Sequence, residues 1–177
     1  AARSAMKHCG SECRDEHSTM RTQMTETPSR IPWPPLLLAS TIGGGWWLGR
    51  AQPLAWPGLD DTAARHVGIG IGIAGIALAV SAIVVLHRAG TTVRPDAAAS
   101  ALVTHGPFRR LRNPIYVADV MILLGIAELT KNVWLAILAI PFVLLVTWLA
   151  ILPEEAHLEA RFGDAYRDYK ARTRRWI

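Results

Sequence analysis

The chain has 177 residues, with 19 Lys+Arg against 14 Asp+Glu and a formal charge of +5, a length that allows one domain or a small domain with a tail. Its 51% hydrophobic and 19% charged shares lie close to ordinary averages, but Ile31–Gly49, Val67–Leu86, Asn113–Ala127 and Asn132–Pro153 hold 76 residues and one formal charge, Asp119, while the other 101 residues hold 32. That segregation excludes an ordinary soluble globule and disorder along most of the chain, and it removes the reason to read the basic balance as nucleic-acid binding; the pattern is that of an all-α polytopic membrane protein.

Residues 1–30 are polar and without periodicity and read as a disordered leader. They begin without Met, so Met20 or Met24 is a candidate start, and no secretory signal is visible there. Cys9 and Cys13 cannot form a disulfide framework. With His8 and His17 they could be drawn as a helical metal cluster, but the C-x₂-C half-site is missing, which argues against zinc. No metal site is expected.

Four hydrophobic segments follow. Leu36–Leu48 is short, reaches span length only with Ile31–Trp33, and has Trp33, Trp46, Trp47 and Trp56 near its ends, suited to interfacial anchoring. Val67–Leu86 and Val133–Leu152 are 20 residues each without a charge, enough to cross ~30 Å of hydrocarbon as helices. Ile115–Leu129 is shorter and contains Asp119 and Glu128, so a tilted, re-entrant or neighbour-buried helix all fit. Thr130-Lys131-Asn132 is a tight connection that makes the last two segments a helical hairpin. The expected organisation is a leader over 1–30, two transmembrane helices over 31–87, and a loop, hairpin and amphipathic C-terminal helix over 88–177, with about four spans in all.

Basic residues set the topology. The N-terminal tail, the loop between segments two and three, and the C-terminal tail carry 16 of the 19, and the opposite face carries Arg50, Arg65 and Lys131. The positive-inside rule makes the richer face, with both termini, cytoplasmic, and in a bacterium the membrane would be the inner one.

Gly70-Ile-Gly72-Ile-Ala-Gly75 matches G-x-G-x-x-G, the dinucleotide fingerprint. That fingerprint needs a strand before it and an acid about 20 residues on, whereas here it lies inside an apolar span. Gly68, Gly72, Gly75 and Ala79 read instead as a small-residue face for close helix packing.

Chemistry concentrates in two places. The connection His87–Pro114 closes with His105-Gly106-Pro107-Phe108-Arg109-Arg110-Leu111-Arg112-Asn113-Pro114-Ile115-Tyr116. Pro114 suits the first turn of a helix with Asn113 as its N-cap, which would set Arg112 and Asn113 at a positive helix end suited to an anion; arginines that bind lipid headgroups are the other reading. After the last span, Glu154 and Glu155 open an amphipathic helix carrying Leu158, Phe162, Ala165, Tyr166 and Tyr169 at helical spacing. Two acids opposing Arg112 could hold a zwitterionic, hydroxyl-bearing ligand. Asp119, one turn below Tyr116, has two readings: it lines an acceptor cavity, or it forms a buried pair with His87.

The ordered set His105-Gly106-Pro107-Phe108, Arg112-Asn113-Pro114-Ile115-Tyr116, a helical hairpin, Glu154-Glu155, Phe162-Gly163-x-x-Tyr166-x-x-Tyr169 and Arg175-Trp176 resembles the isoprenylcysteine carboxyl methyltransferase and phospholipid methyltransferase superfamily of integral membrane enzymes. Arg88-Ala89-Gly90-Thr91-Thr92-Val93 resembles the lead-in of its bacterial members, and the likeness covers roughly residues 84–176. Arg110 stands where relatives often have an aromatic, and Ala118 where a glycine is common.

The resemblance implies an S-adenosyl-L-methionine-dependent methyltransferase with S-adenosyl-L-homocysteine as product. By the same resemblance His105, Gly106, Arg112, Asn113, Pro114, Tyr116, Glu154 and Glu155 would bind the cofactor, with Arg112 and Glu155 central to catalysis and Tyr166 and Tyr169 packing the last helix as a lid; Asp119, as an intramembrane carboxylate, is the candidate substrate-binding group toward a lipophilic acceptor. A prenylcysteine carboxylate, a lipid amine and a thiol are all acceptors within the superfamily. The competing expectation is a non-catalytic four-helix membrane protein that binds anionic lipid through its basic face.

Overall fold

The computed structural model describes residues 33–57, 62–90 and 102–177. The leader, with the metal cluster weighed at Cys9 and Cys13, and residues 91–101 lie outside these. Helix α1 spans Trp33–Ala51, α2 Thr62–Arg88, α3 Pro114–Thr130, α4 Val133–Val146, α5 Leu152–Phe162 and α6 Asp164–Arg172. A 3₁₀ turn, Gly106–Arg109, precedes α3, and a π-helical turn, Thr147–Ile151, joins α4 to α5. The described residues contain no strand, only one isolated bridge between Leu111 and Arg174, so the all-helical class holds.

Two helices are long and apolar enough to cross a membrane, Thr62–Arg88 with 27 residues and the continuous rod Val133–Phe162 with 30. Helix α1, with 19 residues, and α3, with 17, form where the first and third spans are expected but fall short of that measure. Large apolar side chains stand exposed on these helices, with Trp148 76% exposed, Ile140 66% and Ile73 61%, a surface compatible with a surrounding apolar phase.

The small-residue face does what its spacing predicts. Gly68, Gly72, Gly75, Ala79 and Ala82 recur at intervals of four and three on α2, and α2 packs more extensively on α3 than any other helix pair does. A Cβ added at Gly125 of α3 would come 2.7 Å from the Gly72 Cα, so the two backbones meet where Gly125 cannot carry a side chain. Helix α1 lies on α4, tied by Asn132, whose Nδ2 donates to the Gly45 carbonyl at 2.8 Å and whose Oδ1 accepts from the Trp134 N–H at 3.1 Å. The hairpin turn is as tight as expected, with Lys131 in the left-handed region at φ 52°.

The C-terminal amphipathic helix is in fact two pieces. The first, α5, continues the transmembrane rod, and α6 is set off from it at Gly163. The widened turn before α5 has a local cause: Pro153 has no N–H for the carbonyl one turn back, and its ring crowds that carbonyl, so the ladder is interrupted there. The apolar stretch ends at Leu152, and the charged residues of α5 lie beyond it. Tyr116, Leu123, Phe142, Val146 and Ile151 form the bundle core, against which Trp176 packs. A smaller cluster of Ala82, Val103 and Phe108, joined by Ile115, seats the loop on α2.

Candidate active site

The segment entering α3 is shaped by residues that constrain their own backbone. Gly106 has φ +62°, and a Cβ there would stand 3.0 Å from Val85 Cγ2, so only glycine fits both the conformation and the space. Pro107 is the second residue of the 3₁₀ turn, which buries Phe108. Tyr169 of α6 donates its hydroxyl to the Phe108 carbonyl at 2.8 Å, and burial pushes its phenol up to about 12, so it remains a donor. Residues 110–112 then run beside the chain end: the Arg112 N–H donates to the Arg174 carbonyl at 2.8 Å and the Arg174 N–H to the Arg110 carbonyl at 3.0 Å.

Arg112 and Glu155 stand at the centre. Arg112 donates from Nε to Glu155 Oε1 at 3.1 Å and from Nη1 to the carbonyls of Lys170 and Thr173, both at 2.8 Å. Those carbonyls belong to the unsatisfied end of α6, which a guanidinium caps favourably. Arg175 binds the same carboxylate through Nε at 3.0 Å and Nη2 at 2.6 Å. Burial works against the ionised Glu155, but the hydrogen bond from Arg175 and the charges of Arg112 and Arg175 prevail and hold its carboxyl below the usual carboxylate range. Three charged groups thus join the loop, the membrane rod and the chain end.

This revises one expectation. The sequence reading has both acids opposing Arg112 as groups that could hold a ligand, whereas Arg112 and Glu155 are directly paired, with Glu155 only 6% exposed. Glu154 behaves differently: it is exposed and makes no hydrogen bond or ion pair with any described residue. Asn113 holds the N-cap position of α3 as expected, but its side chain does not cap. Its Nδ2 donates instead to the Arg175 carbonyl at 3.3 Å.

The remaining site residues sort by depth. His105 is exposed at the start of the 3₁₀ turn, and Pro114 and Tyr116 are buried in the first turn of α3. Glu154 and Asp119 both lie within electrostatic range of the Tyr116 hydroxyl. Asp119 is half-buried and is not paired with His87, which is exposed at the end of α2. Tyr166 and Tyr169 are buried between α6 and the rest of the site, as packing residues. Among the described residues no group of three or more His, Cys, Asp or Glu could hold a metal ion.

Sequence reasoning gave no role to Arg175, to the Lys170 and Thr173 carbonyls or to Trp176. The carbonyls leave no trace in residue type, while Arg175-Trp176 was visible only as part of the motif set.

The phospholipid methyltransferase family model matches residues 64–165, more than half of the chain. The match begins in α2, which the motif likeness had left aside, and stops before Arg175 and Trp176. The nickel-cobalt-cadmium resistance protein NccN of Alcaligenes xylosoxydans xylosoxydans is 37% identical over 73 residues, 41% of this chain and 33% of NccN. An uncharacterized protein of Haemophilus influenzae is 37% identical over 65 residues, 36% of this chain and all of that protein. The chain thus matches about a third of the length of NccN. No solved structure matches the chain.

Proposed function

The chain belongs to the phospholipid methyltransferase family, and from that premise we propose that it is an integral membrane methyltransferase that takes its methyl group from S-adenosyl-L-methionine and passes it to a lipophilic acceptor. The observation that carries this reading is the Arg112–Glu155–Arg175 node, which closes the family's loop and the chain end over the point where the membrane rod emerges.

The residues suit the donor's chemistry. S-adenosyl-L-methionine presents an ammonium, a ribose diol and a sulfonium, which call for an unpaired carboxylate. Glu154 is such a group, exposed and without a partner among the described residues. His105 and Asn113 add ring and amide groups for hydrogen bonding. Bound there, the donor supplies an already activated methyl group whose departure leaves a neutral thioether. Catalysis then rests on alignment and exclusion of water, which are what a clamped loop and a buried tyrosine provide. Arg112 and Glu155 serve on this reading by holding the loop in place, and Tyr116 forms the floor between the polar mouth and the bilayer. The site faces the cytoplasm, with four helices crossing the membrane and both termini on the basic side, and in a bacterium that membrane is the inner one.

The test is to incubate membranes containing the protein with methyl-labelled S-adenosyl-L-methionine. Label is expected in the lipid-extractable fraction and is expected to fall with Glu154→Gln. The absence of transferred label from wild-type membranes across lipid, prenylpeptide and thiol acceptors would overturn the reading and favour a lipid-binding role for the basic face.

A further inference from the structure

Two buried side-chain nitrogens among the described residues have no hydrogen-bond partner, Trp56 Nε1 and His157 Nε2. Buried polar groups are nearly always paired, so each calls for an explanation. Trp56 stands by the hairpin turn, with Lys131 over its ring at 5.5 Å, at the opposite end of α3 from the clamped loop. His157 is half-buried in α5, two residues beyond Glu155, and the clamp makes no use of it.

The helix fixes which way His157 faces. At ~100° per residue it is roughly 160° around α5 from Glu155 and roughly 60° from Glu154. Glu155 is turned to Arg112 and Arg175, and Glu159, four residues on, to Lys170 of α6. Glu154 and His157 therefore share the face turned away from the clamp. At a spacing of three residues their Cβ atoms stand roughly 5–6 Å apart. Glu154 is within electrostatic range of the Tyr116 hydroxyl, which sets this face at the floor of the mouth.

The methyl donor makes a demand that the groups named so far leave unmet. Its amino-acid end carries an ammonium and a carboxylate on one carbon, so their partners must be near neighbours. Glu154 suits the ammonium, since an arriving cation favours the ionised carboxyl. The carboxylate needs an N–H group. Arg112 is held by Glu155 and two carbonyls of α6, and Arg175 by the same Glu155. His157 is the nitrogen-bearing side chain beside Glu154 on the shared face. The χ2 torsion of a histidine is broad and roughly two-fold, so the ring can turn its unpaired edge toward a ligand with α5 in place.

We propose that His157 hydrogen-bonds the carboxylate of S-adenosyl-L-methionine and so selects the intact amino-acid end over ligands that lack it; this rests on the methyltransferase reading. In the unliganded protein Nε2 has no partner to lose, and an apolar side chain there removes an unsatisfied buried nitrogen. A histidine kept for stability would behave in the opposite way.

Equilibrium binding to the full chain in nanodiscs tests this with S-adenosyl-L-homocysteine and its decarboxylated analogue. The wild-type protein is expected to prefer the first roughly tenfold. His157→Leu is expected to lose that preference by weakening the first ligand alone, with the thermal midpoint of the unliganded protein unchanged or raised. His157→Gln, which keeps an N–H, is expected to recover part of the preference. The inference is overturned by a wild-type protein without preference, by equal weakening of both ligands in His157→Leu, or by a lowered midpoint in both variants. A preference that survives His157→Leu also overturns it and gives the carboxylate to the exposed loop arginines, Arg109 and Arg110. Each of these results leaves the methyltransferase reading standing as long as the wild-type protein binds. Binding of neither ligand by the folded wild-type protein sinks both ideas.

Discussion

Arg112 and Glu155 lie 43 residues apart in the chain and are joined by a hydrogen-bonded ion pair of 3.1 Å, with both side chains largely withdrawn from solvent. The pair bridges the entry to α3 and the base of α5, and Arg175 completes it from the chain end. Replacing Glu155 with Gln leaves two guanidiniums facing a neutral amide. Breaking a buried pair in this way costs on the order of 3 kcal/mol or more. Glu155→Gln is therefore expected to lower the thermal midpoint in detergent by several degrees, and Arg112→Lys to do so as well, because a lysine cannot reach the carboxylate and two carbonyls together. An unchanged midpoint in both variants would contradict the clamp.

The same node sets a pH dependence. The Glu155 carboxyl is held below its ordinary value of 4.5, so its contribution is fully present above that value and is lost as pH falls through the lower folded-state value. The chain end is expected to stay protected from protease at pH 7 and at pH 5, and to become cleavable near residues 163–177 only below the ordinary carboxyl value of 4.5. Opening between pH 7 and pH 5 would show that another group governs closure.

Tyr169 anchors α6 on the loop through the buried Phe108 carbonyl. Tyr169→Phe removes the donor and leaves that acceptor unsatisfied, at a cost of about 1–3 kcal/mol. Faster proteolysis after Gly163 with little change in helix content by circular dichroism is the expected result.

Helices α2 and α3 meet backbone to backbone at Gly72 and Gly125. Gly125→Val would force them apart, and overpacking of this kind costs about 1–3 kcal/mol. Gly70, where an added Cβ meets nothing within 4 Å, is the matched control. Gly70→Val is expected to leave the melting temperature in detergent nearly unchanged, and Gly125→Val to lower it.

Much of this was legible in the residues. The period of small side chains on α2 predicted the helix interface, since only glycine and alanine recur where backbones approach. The tight turn at Lys131 and the helix start at Pro114 follow from local chemistry alone. The paired state of Arg112 was not legible, because two of its acceptors are main-chain carbonyls that any residue would supply. For the same reason Asn113 looked like a cap and is instead a tie to Arg175. The break at Gly163 hid within a continuous amphipathic pattern, as periodicity on either side of a one-residue turn reads as a single helix.

The central claim is that the clamped mouth holds an adenosyl donor, and equilibrium binding of S-adenosyl-L-homocysteine to the protein in nanodiscs tests it most directly. Saturable one-to-one binding is expected, weakened roughly tenfold by Glu154→Gln, which removes one charged partner without touching the Arg112–Glu155–Arg175 node. No saturable binding by the folded wild-type protein would contradict the account.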